Sequence, residues 1–194
     1  EQELREWVEA MERELGRKLE TKFTVEPKID GDSLAVLYEK GRLVTAATRG
    51  DGRTGENVTH TARTIRDLPS QLIDRDAAVP ELLEVRGEAY IRLKDFQEIN
   101  KKQLARGEEA YANPRNLTSG SLKQLDPKVT AERPLRFFAH AIGVVKGRKF
   151  TTHSESMEFV RKIGINAVEN LRLVSTLDEV LTYFNEMAAK RDKL

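Results

Sequence analysis

The chain has 194 residues, 39% of them hydrophobic and 34% charged, with 33 basic against 32 acidic side chains and a net charge of +1. That length holds one well-formed core, or one domain with an appended helix, and the near-balanced charge leaves any nucleic-acid partner to local cation clusters. The absence of cysteine excludes disulfides and thiolate metal sites, the three scattered histidines argue against a zinc site, and no apolar run is long enough for a membrane span.

Residues 1 to 19 place Leu4, Trp7, Val8, Met11 and Leu15 at helical spacing, which predicts an amphipathic helix that packs on a neighbour. Three β-rich runs follow, Lys22–Glu26, Ser33–Glu39 and Arg42–Thr48, with Lys40-Gly41 as a tight turn between the last two. Arg49 to Glu56 then carries three glycines, and 57–65 reads as a helix whose N-terminus faces that loop. Leu82–Ile91 is a further strand carrying Glu84, Arg86 and Glu88, and Asp95–Ala105 is a short amphipathic helix. Gly107 to Tyr111 is a polar loop. Ala112–Leu125 mixes small residues with Arg115 and Lys123, eight positions apart and able to share a helix face. Leu135–Val145 is a strongly apolar strand containing His140, and Glu155–Ile163 and Leu177–Ala188 are two more amphipathic helices. The expected core is Leu34, Val36, Val44, Leu83, Val85, Ile91, Phe137, Phe138 and Ile142. These elements predict an α+β fold: antiparallel strands around a nucleotide-sized cleft, with helices outside. A Rossmann unit is excluded, because the glycine loop follows a hairpin and does not open a strand–helix pair.

The most reactive arrangement is Lys28-Ile29-Asp30-Gly31, directly after the first strand. An amine beside a carboxylate at a sharp turn acts as a nucleophile when nearby cations or desolvation lower its pKa, and attack on phosphorus gives a phosphoramidate. The same quartet occurs in surface hairpins without chemistry, so alone it decides nothing. Arg49 supplies a fixed cation in a loop whose glycines permit close backbone approach to a ligand. Ser119, Gly120 and Ser121 leave room for a phosphate backbone beside Arg115 and Lys123, against the plainer reading of two solvated cations. His140 is either a satisfied wall residue or a ring that stacks on a base.

Taken together, Lys28-Ile29-Asp30-Gly31, Ala47-Thr48-Arg49-Gly50-Asp51-Gly52, Val85-Arg86-Gly87-Glu88 and Ala112-Asn113-Pro114-Arg115-Asn116 resemble one family. They are similar, in order and spacing, to the adenylation (nucleotidyltransferase) domain of bacterial NAD-dependent DNA ligases. Gly120-Ser121-Leu122-Lys123-Gln124-Leu125-Asp126-Pro127 and Arg133-Pro134-Leu135 before Phe137-Phe138-Ala139 continue the match, which runs from about Glu26 to Gly143. Lys-x-Asp-Gly is shared with ATP-dependent ligases and capping enzymes, whereas the other blocks are particular to the NAD class.

The resemblance implies an antiparallel-sheet nucleotidyltransferase fold, ATP-grasp-like, with peripheral helices. Residues 1–20 would be a linking helix, and 21–194 an adenylation domain. It implies NAD as substrate, Mg2+ as cofactor, nicked double-stranded DNA and other domains of a parent ligase as partners, and cytoplasmic work in replication and repair. Lys28 would be the nucleophile, with Asp30 accepting its proton or orienting it. Glu26 would hold the adenine edge and Glu88 the ribose or the lysine. Arg49 and Arg115 would bind phosphate, and Arg115 and Lys123 the DNA backbone. No residue is assigned as a metal ligand. Lys123 stands where the family usually has arginine, which makes a forked contact a point-charge one. His140 stands where the family usually has a tyrosine against the adenine. Glu1 in first place, and the lack of the family's two later nucleotide-binding segments, make a piece of a longer protein the expectation. The competing readings are an ATP- or GTP-dependent nucleotidyltransferase and a non-catalytic nucleic-acid-binding module of this fold.

Overall fold

Period-2 runs become strands and 3.6-residue repeats become helices along most of the chain. The computed structural model describes residues 1–73, 78–168 and 170–190. In chain order its elements are α1 (Gln2–Leu15), β1 (Phe23–Val25), β2 (Asp32–Glu39), β3 (Arg42–Thr48), α2 (Thr59–Ala62) and β4 (Leu82–Tyr90). They continue with α3 (Leu93–Ala105), α4 (Pro114–Leu122), α5 (Pro127–Ala131), β5 (Arg136–Lys146), α6 (His153–Lys162), β6 (Arg172–Val174) and α7 (Leu177–Lys190). The architecture is mixed α and β with antiparallel sheets, in two units: Lys28–Val168, and Glu1–Pro27 with the segment after Val168. Residues 74–77, 169 and 191–194 of the expected 21–194 domain lie outside the described residues.

The larger unit is built on a four-stranded sheet of order β3-β2-β4-β5. Lys40 and Gly41, at φ 47° and 78°, close the β2–β3 hairpin in the left-handed turn geometry that suits right-twisted strands. One face of the sheet buries Leu34, Val36, Tyr38, Ala46, Leu83, Val85, Phe137 and Ala139. Helix α2 lies against β3, α4 against β2 and β4, and α6 against β5, adding Leu117, Leu122, Met157, Val160 and Ile163 to the same core. Fully burying one such large apolar side chain contributes about 1.5–3 kcal/mol. The other face carries Ser33, Ala35, Ala47, Glu84, Arg86, Glu88 and Phe138, and apart from Glu88 it is at most half-buried.

The sequence-based core needs three corrections. β3 is an edge strand whose Leu43 takes the inward position, so Val44 points out and is 36% exposed. Phe138 is half-buried because it lies on the open face, where it stacks on Tyr90 at 5.1 Å. Ile142 is also only half-buried, between two register shifts of the β4–β5 pair. The helix expected over 57–65 shrinks to four residues, since the Thr61 and Thr64 hydroxyls bond nearby carbonyls and favour a turn.

In the smaller unit β1 and β6 pair antiparallel, accompanied by α1 and α7. On α1, Leu4, Val8 and Met11 are half-buried, and Arg5 bonds both Glu1 and Asp178 at 3.0 Å. No helix among the described residues is long and apolar enough to cross a membrane.

Candidate active site

The turn into β2 decides where Lys28 stands. Gly31 is buried against β4: a Cβ there would collide with the Ala89 carbonyl and lie 3.1 Å from Cγ of Glu88. Only glycine lets the backbone come this close. Asp32 then pairs with Ala89 and Ser33 with Glu88, so β2 begins beside the Glu88 rung, with Asp30 and Lys28, both exposed, in the turn that leads into it.

Glu88 faces Ser33 on one side and Phe138 on the other. It is 8% exposed, and its Oε2 has no hydrogen-bond partner among the described residues. An orphaned buried carboxylate oxygen is costly, and it is an acceptor ready for a ligand hydroxyl.

Asp30 meets Arg115 at 3.7 Å. Arg115 stands in the first turn of α4, whose start is fixed by Pro114 and by the Asn113 side chain, which accepts from the Asn116 N–H at 2.7 Å. Both partners are mostly exposed, so the pair is worth at most about 1 kcal/mol and leaves Arg115 free to take another anion.

Arg49 follows β3 directly, and its N–H donates to the Ser33 carbonyl at 3.1 Å, placing it next to the Glu88 rung. The loop beyond it is closed from within. The Thr48 N–H donates to the Glu56 carbonyl, and the Asp51 carboxylate accepts from the N–H groups of Thr54 (2.7 Å) and Arg53 (2.9 Å) and from the Thr54 hydroxyl (3.1 Å). These bonds, that from the Thr54 N–H first, hold the Asp51 carboxyl below its ordinary 3.8. A depressed carboxyl pKa supports the loop fully above that ordinary value, and the support is lost as pH falls through the lower, folded one. Amide protection at Arg53 and Thr54 is therefore expected to stay level from neutral pH down to about 5 and to fall in stronger acid. In Asp51→Ala it is expected to be low throughout. Protection that ignores both pH and Asp51 would remove this role.

Lys123 caps the C-terminal end of α4 and meets Glu56 at 2.8 Å. The hydrogen bond and charge of Glu56 hold its amine above the ordinary lysine value, and the charge of Asp32 adds to this. Arg115 and Lys123, at opposite ends of α4, thus answer two different carboxylates. His140 is half-buried at a register shift: Gly87 faces Ala139 while Arg86 faces Ala141, leaving His140 as the extra residue of a bulge. Glu26 directly follows β1 in the smaller unit.

In the larger unit Asp30 thus meets Arg115, Lys123 meets Glu56 and Arg49 stands next to the Glu88 rung, while Lys28 is exposed ahead of β2 and His140 sits on β5 at the Gly87–Arg86 level. Sequence reasoning missed Glu56 as the partner of Lys123, although its place as the acid ending the glycine loop was a usable signal. A nucleophile-capable amine with cations nearby suits transfer at phosphorus, where catalysis is mostly positioning and charge stabilisation.

A family model described as the NAD-dependent DNA ligase adenylation domain matches residues 1–194, and the chain belongs to that family. It is 48% identical over 192 residues to a DNA ligase of Cereibacter sphaeroides, covering 99% of this chain and 27% of that protein. A DNA ligase of Thermomicrobium roseum is 45% identical over 194 residues (99% of this chain, 28% of that protein). One of Chloroflexus aggregans is 43% identical over 196 residues (97% and 29%). The chain thus spans less than a third of the length of these curated relatives.

Proposed function

We propose that the chain carries the self-adenylylating step of an NAD-dependent DNA ligase, on a nucleotidyltransferase fold of the ATP-grasp-like ligase type. Lys28 Nζ, as the free amine, attacks the phosphorus of the AMP half of NAD. An N–P bond forms, the pyrophosphate P–O bond breaks, nicotinamide mononucleotide leaves with the electron pair, and the amine gives up a proton, which Asp30 accepts by its place in the motif. Arg49 and Arg115 stabilise the charge that develops on the phosphate oxygens. Glu88 accepts a ribose hydroxyl at its unpartnered Oε2, and Glu26 takes the adenine edge by its place in the motif. In the whole protein AMP would pass to the 5′-phosphate of a nick and the 3′-hydroxyl would complete sealing, with Arg115 and Lys123 on the DNA backbone, in the cytoplasm.

No group of three or more metal-ligating side chains occurs among the described residues. A Mg2+ ion would supply charge neutralisation at the phosphates when bound. The observation that supports the reading is the close approach of Gly31, three residues after Lys28, to β4 next to the buried Glu88, whose Oε2 has no hydrogen-bond partner among the described residues. The intact mass of the chain, before and after incubation with NAD and Mg2+, tests it. A gain of one adenylyl group from NAD and none from ATP is expected; labelling from ATP alone would overturn the NAD assignment.

A further inference from the structure

Glu84, Arg86 and Glu88 alternate along β4 on the open face. Arg86 faces Ala35 on β2 and Ala141 on β5, and Ala35 in turn faces Ala47 on β3. The rung next to Glu88 is therefore three alanines and one guanidinium. The alanines make a low floor, and Arg86 rises from it with 58% of its side chain exposed.

Arg86 is held in place. Its Nε donates to Glu84 Oε1 at 2.6 Å, and the Glu84 side chain is only 19% exposed. Glu84 fits because it lies over Gly143, where a Cβ would collide with its carboxylate. The two terminal guanidinium nitrogens have no hydrogen-bond partner among the described residues.

Charge separates the two ends of this face. Lys28, Arg49, Arg115 and Lys123 cluster where β2 begins and β3 ends, and suit phosphate. Around Arg86 the charges are one guanidinium against the carboxylates of Glu84 and Glu88, so this rung does not draw an anion. It suits a flat neutral group. A strand rises about 3.3 Å per residue, so Arg86 lies roughly 7 Å along β4 from Glu88, the reach from a ribose to its base.

We propose that Arg86, oriented by Glu84, is a base-recognising residue: its terminal N–H groups donate to ring nitrogens of a purine lying over Ala35 and Ala47. This deepens the nucleotide reading above and rests on Glu88 taking the ribose. Titration calorimetry of the chain with AMP and with ribose 5-phosphate tests it. Arg86→Gln is expected to weaken AMP about tenfold or more while moving ribose 5-phosphate less than about twofold. Glu84→Gln weakens AMP by a smaller factor, and the double variant is no worse than Arg86→Gln, because Glu84 acts through Arg86. AMP binding unchanged by Arg86→Gln would overturn the base contact and leave the nucleotide reading standing. An equal loss for ribose 5-phosphate would also overturn it, by assigning Arg86 to phosphate or to folding. Failure of the unaltered chain to bind either probe would overturn both readings.

Discussion

Lys28→Ala is expected to abolish the adenylyl adduct, a loss of at least about a thousandfold and in practice below detection, because removing a nucleophile leaves no alternative covalent route. Lys28→Arg should fail as completely, since a guanidinium keeps its proton at any working pH and offers no lone pair for attack. Lys28 is exposed, so neither change disturbs packing and the melting temperature should move by no more than about 2 °C. That separation of activity from stability is the diagnostic part. A full-size adduct on Lys28→Arg would place the reactive amine elsewhere, and peptide mapping of the labelled chain would locate it.

Gly31→Ala should affect both stability and chemistry. The new methyl group meets a backbone carbonyl, which cannot rotate away as a flexible side chain would, so the turn has to lift from β4. Overpacking of this kind costs about 1–3 kcal/mol, and the rigid partner puts Gly31→Ala at the upper end. Lifting the turn also breaks the Asp32–Ala89 pairing and shifts Lys28, which lies in the same turn segment. Adenylylation should therefore drop at least about tenfold under conditions where the variant is still folded, as expected for a reacting group misplaced by about an ångström. Gly120→Ala is the control, because a Cβ at that helical position meets nothing within 4 Å. It should be neutral or stabilising, by up to about 1 kcal/mol. Urea denaturation of both variants checks the pair, and a Gly31→Ala chain as stable as its parent would refute the close-approach argument.

The legible parts of the sequence were those governed by local rules. β3 falls where expected, at Arg42–Thr48, and β2 begins one residue early, because alternating apolar residues and a Lys-Gly turn determine a hairpin without help from elsewhere. β6 was missed because three residues, Arg172–Val174, carry no period and are a strand only by pairing with β1 some 150 positions away. α5 was missed because a five-residue helix rests on its cap: the Asp126 side chain accepts from the Lys128 N–H, and Pro127 opens the first turn. The site divides in the same way. Lys28, Asp30, Arg49, Glu88, Arg115, Lys123 and His140 could be named from motif blocks, but their pairing could not. That Asp30 meets Arg115, and Glu56 meets Lys123, follows from how α4 packs on β2 and β4, a non-local fact.

The ion pair between Lys123 and Glu56 implies an exchange rule. An anion arriving at Lys123 meets an ammonium that already has a counterion, so it substitutes for a carboxylate and does not strip a bare, hydrated charge. Glu56 is covalently part of the loop that starts at Arg49, and losing its partner releases that loop from α4. Occupancy at the end of α4 and looseness of the glycine loop are then two readings of one equilibrium, with the fixed carboxylate acting as the resident competitor.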